Sequence, residues 1–212
     1  MTGDLLPAKV LATHTIANVS ETLAEKLGLP PEYRSIGIIT ADSDDVTYCA
    51  LDEATKAAAV EVVYGRSLYA GAANASTKLA GEVIGILAGP NPAEVQSGLR
   101  SCVDFMESGV GFRSANEDDS VIYFAHTVSR TGSYLSKTAG VKEGEALAYL
   151  IAPPLEAVVG LDEAMKASDV ELVALFEPPS ETNFGGGLLT GTQSACNAAA
   201  SAFAEAVKAV AQ

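Results

Sequence analysis

Two adjacent aspartates, Asp44 and Asp45, are the residues of this sequence best suited to hold a small cation or an amine. In a strand, neighbouring side chains point to opposite faces, so both carboxylates can converge on one ligand only from a turn. Asp42 and Ser43 precede the pair and favour a turn. Carboxylates form charge-assisted hydrogen bonds with an ammonium group. An alternative interpretation is a solvated surface turn, because clustered charges are usually exposed.

Signatures of nucleophilic catalysis are missing from the other polar residues of the sequence. Ser194 lacks the flanking glycines of a nucleophile elbow. His14 and His126 lie in two similar segments, which favours a shared structural role over a catalytic pair. The cysteines are widely spaced and form no CxxC pair, so we expect reduced packing residues at Cys49, Cys102 and Cys196. The sequence therefore predicts a protein that is not an enzyme and has no catalytic cofactor.

Composition narrows the classes of partner. The chain has 212 residues with 27 acidic and 13 basic side chains, a net charge of −14. Nucleic-acid binding needs a basic face, so we expect no nucleic-acid partner. No apolar run is long enough to span a membrane, and the N-terminus lacks the layout of a secretory signal, so a cytoplasmic protein without membrane contact is expected. The acidic field suits small cations or amines, although solubility alone also explains an excess of acids.

A repeated stretch indicates that the chain consists of two tandem copies of one module. Residues 51–63 read LDEATKAAAVEVV, and residues 161–173 read LDEAMKASDVELV. The offset is about half of the chain, which predicts two domains, 1–110 and 111–212. Each stretch begins like a helix and ends with the apolar–polar alternation of a strand. A hydrophobic content of 48% is high for a monomer of this size, so part of that surface is expected to lie between subunits.

Both modules are expected to contain strand, short helix, strand, helix, strand, strand and helix. Gly28 and Gly140 stand where a short helix should end. Asn91, followed by Pro92, should cap the last helix of the first module, and Thr192 that of the second. The predicted fold class is α/β (α+β), with a small, mostly antiparallel sheet and packed helices in each module.

The repeated stretch, followed by a Gly-ended strand and an Ala-rich helix, resembles the bacterial microcompartment shell domain. Longer strings resemble the tandem shell proteins of ethanolamine-utilisation microcompartments and cover nearly the whole chain; they are residues 41–48, 61–73, 89–94, 129–136 and 152–157. This resemblance implies two tandem shell domains and a homotrimer that imitates a six-sided tile. It also implies gated pores, other shell proteins as partners, and ethanolamine as a ligand.

The resemblance extends to a set of site residues. The positions that match the family's ethanolamine pocket are Asp44, Asp45, Glu82, Phe112, Thr182, Asn183 and Phe184. Carboxylates and an aromatic face suit the ammonium end of the ligand, and backbone groups suit its hydroxyl. The alternative for Phe112 is a core residue. The resemblance also allows Glu156 a role in divalent-cation binding, and it implies possible cobalamin binding.

The functional prediction is a non-enzymatic shell protein whose pores pass metabolites and respond to ethanolamine. The long segment at residues 65–81, rich in small residues, is the candidate moving part. The alternative from another class is a soluble amine-binding sensor or enzyme that uses the same acidic pocket. That alternative needs a general base beside a nucleophile, and the sequence shows no such arrangement.

Overall fold

The computed structural model of the chain describes residues 1–68, 79, 81–178 and 183–211. Its strands are β1 (Leu5–Pro7), β2 (Val10–Ile16), β3 (Ser35–Ala41), β4 (Glu61–Ser67), β5 (Val83–Gly89), β6 (Gly111–Ser114), β7 (Ile122–Val128), β8 (Ala146–Ala152), β9 (Val170–Phe176) and β10 (Gly185–Gly191). Its helices are α1 (Glu21–Leu27), α2 (Asp44–Ala57), α3 (Pro92–Glu107), α4 (Ser133–Ala139), α5 (Pro154–Ala167) and α6 (Gln193–Val210).

The chain divides into two compact units. The first, called the N-terminal unit, contains Ala8–Val110 together with Gly132–Leu135. The second, the C-terminal unit, contains Met1–Pro7, Gly111–Thr131 and Ser136–Gln212. The first few residues leave the N-terminal unit because β1 pairs with β6 of the C-terminal unit. The two tandem shell domains, 1–110 and 111–212, stay a prediction.

The N-terminal unit is built on an antiparallel sheet with the strand order β2-β3-β5-β4. Helices α2 and α3 pack against each other and against this sheet. Val95, Leu99, Cys102 and Met106 are buried and lie on one face of α3, as their spacing predicts. The helix begins as expected, with the Asn91 side chain accepting a hydrogen bond from the Glu94 N–H at 3.0 Å and Pro92 in its first turn.

The C-terminal unit has an antiparallel sheet with the order β1-β6-β7-β8-β10-β9. Every residue of the central strand β8 is buried, which explains its continuous apolar sequence. Helices α5 and α6 pack on this sheet around Phe203, which is fully buried. The predicted cap of α6 is present, because Thr192 Oγ1 accepts a hydrogen bond from the Ala195 N–H at 3.2 Å.

The order of elements confirms the predicted mixed α/β fold. From β2 to α3 the order is strand, helix, strand, helix, strand, strand, helix, and the same order runs from β7 to α6. The two modules also share a β-bulge. In the first module it lies in β4 between Val62 and Tyr64, and in the second it lies in β9, opposite Leu188 and Leu189 of β10. Because the bulge has the same position in both modules, the residues of β4 and β9 can be matched one to one.

Two local expectations differ from the structure. Asp44 and Asp45 do not form a turn, because α2 begins at Asp44, seven residues before the repeated stretch. Acidic side chains interact favourably with the unpaired N–H groups in the first turn of a helix, so Asp44 and Asp45 stabilise the start of α2. The order of elements expected from the sequence also lacks β6, which is held by pairing with β1 and β7.

Candidate functional site

The acidic half of the candidate site lies where α2 begins, in the N-terminal unit. The Asp45 N–H donates to Asp44 Oδ1 at 2.9 Å, and Asp45 is itself buried. A buried carboxylate is costly unless hydrogen bonds or a cation compensate for the lost water. The first turn of α2 therefore holds one half-buried and one buried acid side by side, which is an arrangement able to attract a small cation.

A chain of hydroxyl groups fixes the orientation of Asp44. Ser67, the last residue of β4, donates from its hydroxyl to Asp44 Oδ2 at 2.8 Å. The Tyr48 hydroxyl, one helical turn after Asp44, lies 2.8 Å from Ser67 Oγ. Burial raises the pKa of the Tyr48 hydroxyl well above its usual value, so it is neutral at pH 7. These neutral hydroxyl groups orient the Asp44 side chain without adding charge to the cluster.

Glu82 lies at the same end of this sheet. Its N–H donates to the carbonyl of Ala41 at 2.8 Å, and its carbonyl accepts from the Leu68 N–H at 2.7 Å. Ala41 and Ser67 both pair with Val83, which follows Glu82 directly. At this end of the sheet β3 and β4 end and β5 begins. Asp44, Ser67 and Glu82 therefore lie at the same end of the sheet.

The aromatic half of the predicted set lies in the C-terminal unit. The Phe112 ring is 5.8 Å from the Phe184 ring in an edge-to-face arrangement and 5.5 Å from the Phe124 ring. Phe112 is only half-buried, so its ring is not a closed core position. Asn183 is exposed with φ at 62°, a left-handed conformation that asparagine tolerates better than most residues. Thr182 lies outside the described residues.

The structure therefore places the predicted ligand-binding residues in two groups, one in each unit. Asp44, Asp45 and Glu82 form the acidic group, and Phe112, Asn183 and Phe184 form the aromatic group. Ser67 and Tyr48 were not predicted, although a tyrosine four residues after an aspartate in a helix lies on the same face as that aspartate. Ser67 is hydrogen-bonded to Asp44 and Tyr48 is hydrogen-bonded to Ser67, so both belong to the candidate site.

The remaining polar residues fit structural roles. All three cysteines are buried and free, and burial raises the pKa of the Cys102 thiol to about 12, which makes it unreactive at neutral pH. His126 stacks on Phe124 with ring centroids 5.7 Å apart.

Glu156, the predicted cation ligand, lies in the first turn of α5 and is half-buried. Within the described ranges, no three His, Cys, Asp or Glu side chains come together as a metal site. Cation binding at Glu156 therefore stays a prediction. None of the described helices is long and apolar enough to cross a membrane.

Comparison with known proteins gives matches over the full chain. Residues 35–115 match the family described as the BMC domain. The bacterial microcompartment shell protein EutL of Clostridium perfringens is 69% identical over 211 residues, covering 100% of this chain and 97% of that protein. The EutL shell protein of Salmonella typhimurium is 57% identical over 204 residues, covering 96% of this chain and 93% of that protein.

The fold agrees equally well with a solved structure. The crystal structure of ethanolamine utilization protein EutL from Leptotrichia buccalis superimposes with a TM-score of 0.97 at 70% identity, covering 100% of this chain and 97% of that one.

Proposed function

The chain belongs to the EutL family of bacterial microcompartment shell proteins, and we propose that it forms homotrimeric tiles in the shell of an ethanolamine-utilisation microcompartment. The observation that carries this proposal is the 69% identity to a EutL shell protein along 100% of the chain. The relatives are named as shell proteins, in agreement with the predicted non-enzymatic role and location in the shell. Other shell proteins are the expected partners of such a tile.

The trimer is supported by the doubled order of elements. A chain with two like modules offers two similar lobes, so three chains provide six lobes around a centre. Such a ring imitates a six-sided tile, and its centre is the natural place for a pore. This proposal is tested by the solution mass, which should be three times 21.7 kDa, about 65 kDa.

Ethanolamine is the ligand that we propose for the candidate site. Its ammonium group would be bound by Asp44, Asp45 and Glu82, and the aromatic faces of Phe112 and Phe184 would add cation–π attraction. Backbone groups of Thr182 and Asn183 would take the hydroxyl end. With four heavy atoms and a ceiling of about 1.5 kcal/mol per atom, the tightest binding is about 6 kcal/mol, or tens of micromolar. Weak binding suits a sensor of a substrate pool.

Titration calorimetry with matched variants tests the ligand site. Wild-type protein should bind ethanolamine with a dissociation constant of tens of micromolar or weaker. Asp45→Asn keeps the shape but loses the charge, which should weaken binding by about 10-fold or more, since a hydrogen bond to a charged group contributes about 1.5–3 kcal/mol. Asp118→Asn, in an exposed turn of the C-terminal unit, is the control and should bind as wild type. Equal affinity in both variants, or no binding at millimolar ligand, contradicts the site.

Pore gating is proposed to follow from a shift between closed and open loop arrangements. A ligand shifts such an equilibrium only by its difference in affinity for the two states, so a weak ligand can bias only a nearly balanced gate. The candidate moving part, residues 65–81, lies mostly outside the described residues. Crystal structures with and without ethanolamine test it, because the segment should adopt different positions; identical positions would argue against gating by this loop.

Cobalamin and a divalent cation at Glu156 are two further ligands proposed by resemblance alone. Equilibrium dialysis of the wild-type protein against each ligand tests them, with Glu156→Gln as the variant for the cation. Retention of the cation by wild type and its loss in the variant would support that site. Equal retention by both proteins would place the cation elsewhere.

A further inference from the structure

A cleft lies between helix α6 and strand β7 of the C-terminal unit. Its volume is about 580 Å³, which is in the range of small-molecule sites. Ala200 and Ala204 of α6 and Ala125 of β7 line part of it. All of its lining residues belong to the C-terminal unit, and none belongs to the acidic or the aromatic group of the candidate site. The cleft is therefore a second, separate place for a ligand.

Small side chains on α6 explain why this cleft is open. The buried positions of α3 and α6 coincide when the two helices are aligned at their N-terminal caps. In this alignment Ala200 takes the place of Leu99, and Ala204 takes the place of Val103. A methyl group on Gly37 of β3 would meet Leu99 Cγ at 2.9 Å, so leucine packs tightly on the sheet of the first module. Alanine at both positions leaves room along α6 in the second module.

One side of α6 supplies polar groups to the cleft. Four polar residues form a row along the helix, at spacings of four, four and three: Asn197, Ser201, Glu205 and Lys208. Lys208 Nζ donates a hydrogen bond to Glu205 Oε1 at 2.8 Å, so these two charges largely offset each other. This hydrogen bond raises the pKa of Lys208, and the Tyr123 hydroxyl acts in the same direction, so the lysine is charged at neutral pH.

Arg113, in β6, is the second cation of the cleft. It pairs with Tyr123 of β7, which is 2% exposed and belongs to the core beneath α6. Residues directly opposite each other on neighbouring strands share a face of the sheet, so Arg113 lies on the face that carries α6. Arg113 Nη1 donates to the Gly3 carbonyl at 2.9 Å. Among the described residues, no carboxylate forms an ion pair with Arg113, so most of its five N–H donors remain for a ligand.

The groups of the cleft favour an anion that has a short apolar part. A guanidinium group binds a carboxylate through two parallel hydrogen bonds. The Asn197 amide and the Ser201 hydroxyl are neutral donors on the opposite wall. The alanine methyl groups form an apolar wall, which a bare phosphate would leave uncovered. An amine would meet two cations and a single carboxylate that is already paired.

We propose that the cleft between α6 and β7 binds the carboxylate of a small organic acid. Arg113 holds the carboxylate, and the apolar part of the acid lies along Ala125, Ala200 and Ala204. The Glu205 carboxylate repels the ligand and keeps the binding weak and reversible. The chain then has one site for an amine and another for an acid. This inference goes beyond the proposed ethanolamine site and does not depend on it, because the two sites share no residue.

Saturation-transfer NMR with sodium butyrate tests the ligand class. Butyrate has a carboxylate and a short apolar tail, so the wild-type protein should transfer saturation to it, with a dissociation constant in the millimolar range. Butylamine has the same tail and the opposite charge, and it should not displace butyrate. Inorganic phosphate has the charge without the tail and should displace butyrate only at higher concentrations. No transfer to butyrate, or its displacement by butylamine, would overturn the proposal.

Matched variants locate the binding in the cleft. Arg113→Gln removes the charge but can still donate to the Gly3 carbonyl, and it should weaken butyrate binding by about 3- to 5-fold, as expected for a solvent-accessible ion pair. Glu205→Gln removes the repulsion and should strengthen binding by about 2-fold. Arg34→Gln, an exposed arginine of the N-terminal unit, is the control and should bind as wild type.

A further variant fills the cleft. Ala204→Val introduces the residue that the first module has at the equivalent position, and it should weaken butyrate binding without removing a charge. Circular dichroism verifies that each variant folds, and the two charge variants decide the test if Ala204→Val does not. Unchanged binding in Arg113→Gln, or weaker binding in Glu205→Gln, would show that the acid binds elsewhere and would overturn the proposal. Such a result would leave the ethanolamine site untouched.

Discussion

Asp52 and Asp162 occupy the same position of the two repeats but lie in different surroundings. Asp52 is fully buried and accepts hydrogen bonds from Gly132 and Leu135, whereas Asp162 is exposed and paired with Lys166. Identical local sequence, LDEA, therefore gives a structural residue in one copy and a surface residue in the other. The difference comes from what covers each helix, which no local pattern encodes.

Substitution of Asp52 should cost much of the stability of the N-terminal unit. Asp52→Ala leaves two buried N–H groups without acceptors, at about 1–3 kcal/mol each, so the free energy of unfolding should fall by about 2–6 kcal/mol. Glu163→Ala, on the exposed side of α5, should change it by less than about 0.5 kcal/mol. Urea denaturation of both variants measures the difference. A loss of stability as small as that of the control would show that the carboxylate is not needed there.

Tyr134 makes the protein sensitive to alkaline pH. Burial raises the pKa of Tyr134 from 10.0 to about 12, so the folded state holds this proton where the unfolded state has already lost it. Its contribution to stability is therefore complete below pH 10 and is lost as the pH rises towards 12. Tyr134→Phe should lose less stability than wild type between pH 9 and 11.5 in urea titrations. Parallel pH profiles would mean that the hydroxyl has no raised pKa.

Among the secondary-structure elements, the helices differ in whether a side chain at their N-terminus accepts a hydrogen bond from the first turn. Asn91 and Thr192 accept hydrogen bonds from N–H groups of α3 and α6. The Ser43 hydroxyl, at the start of α2, is buried and has no hydrogen-bond partner within the described part of the chain. The side chains of Asn91 and Thr192 therefore stabilise their helices, because each accepts a hydrogen bond from the first turn. The buried Ser43 hydroxyl makes no such bond and does not stabilise α2.

Removing each side chain separates these two cases. Asn91→Ala should lower the free energy of unfolding by about 1 kcal/mol through loss of the cap. Ser43→Ala should leave it unchanged or raise it, because the buried hydroxyl makes no compensating bond. Thermal or urea unfolding of both variants provides the comparison. A larger loss for Ser43→Ala than for Asn91→Ala would show that the hydroxyl has a partner in solution.

Elements with a strong local signal were predictable from the sequence. The caps at Asn91 and Thr192, the apolar face of α3 and the order of elements in both modules follow from residue type and spacing. The strands β1 and β6 were missed, because each is short and is stabilised by pairing with a partner distant in sequence. The first turn of α2 was interpreted as a loop, since Ser and Asp favour turns and helix starts alike.

Only the residues of the candidate site that carry a local signal could be predicted from the sequence. Asp44 and Asp45 stood out by residue type, whereas Glu82 and the aromatic group entered only through the resemblance. Ser67 gave no local signal, because its contact with Asp44 depends on where β4 ends relative to α2. The way in which the aromatic and acidic groups would share one ligand stays part of the proposed function.

At the scale of the whole molecule, one order of elements occurs twice in a chain of 21.7 kDa with a net charge of −14. The hydrophobic content of 48% is consistent with burial of apolar surface between copies in the proposed trimer. Pore gating depends on assembly into tiles, because the proposed pore lies at the centre of the trimer.

Assembly into tiles is tested by negative-stain electron microscopy of the concentrated wild-type protein. We predict flat, ring-shaped particles with three-fold symmetry and six lobes, which join into sheets as the concentration rises. Dispersed single chains at every concentration, or particles without three-fold symmetry, would contradict it.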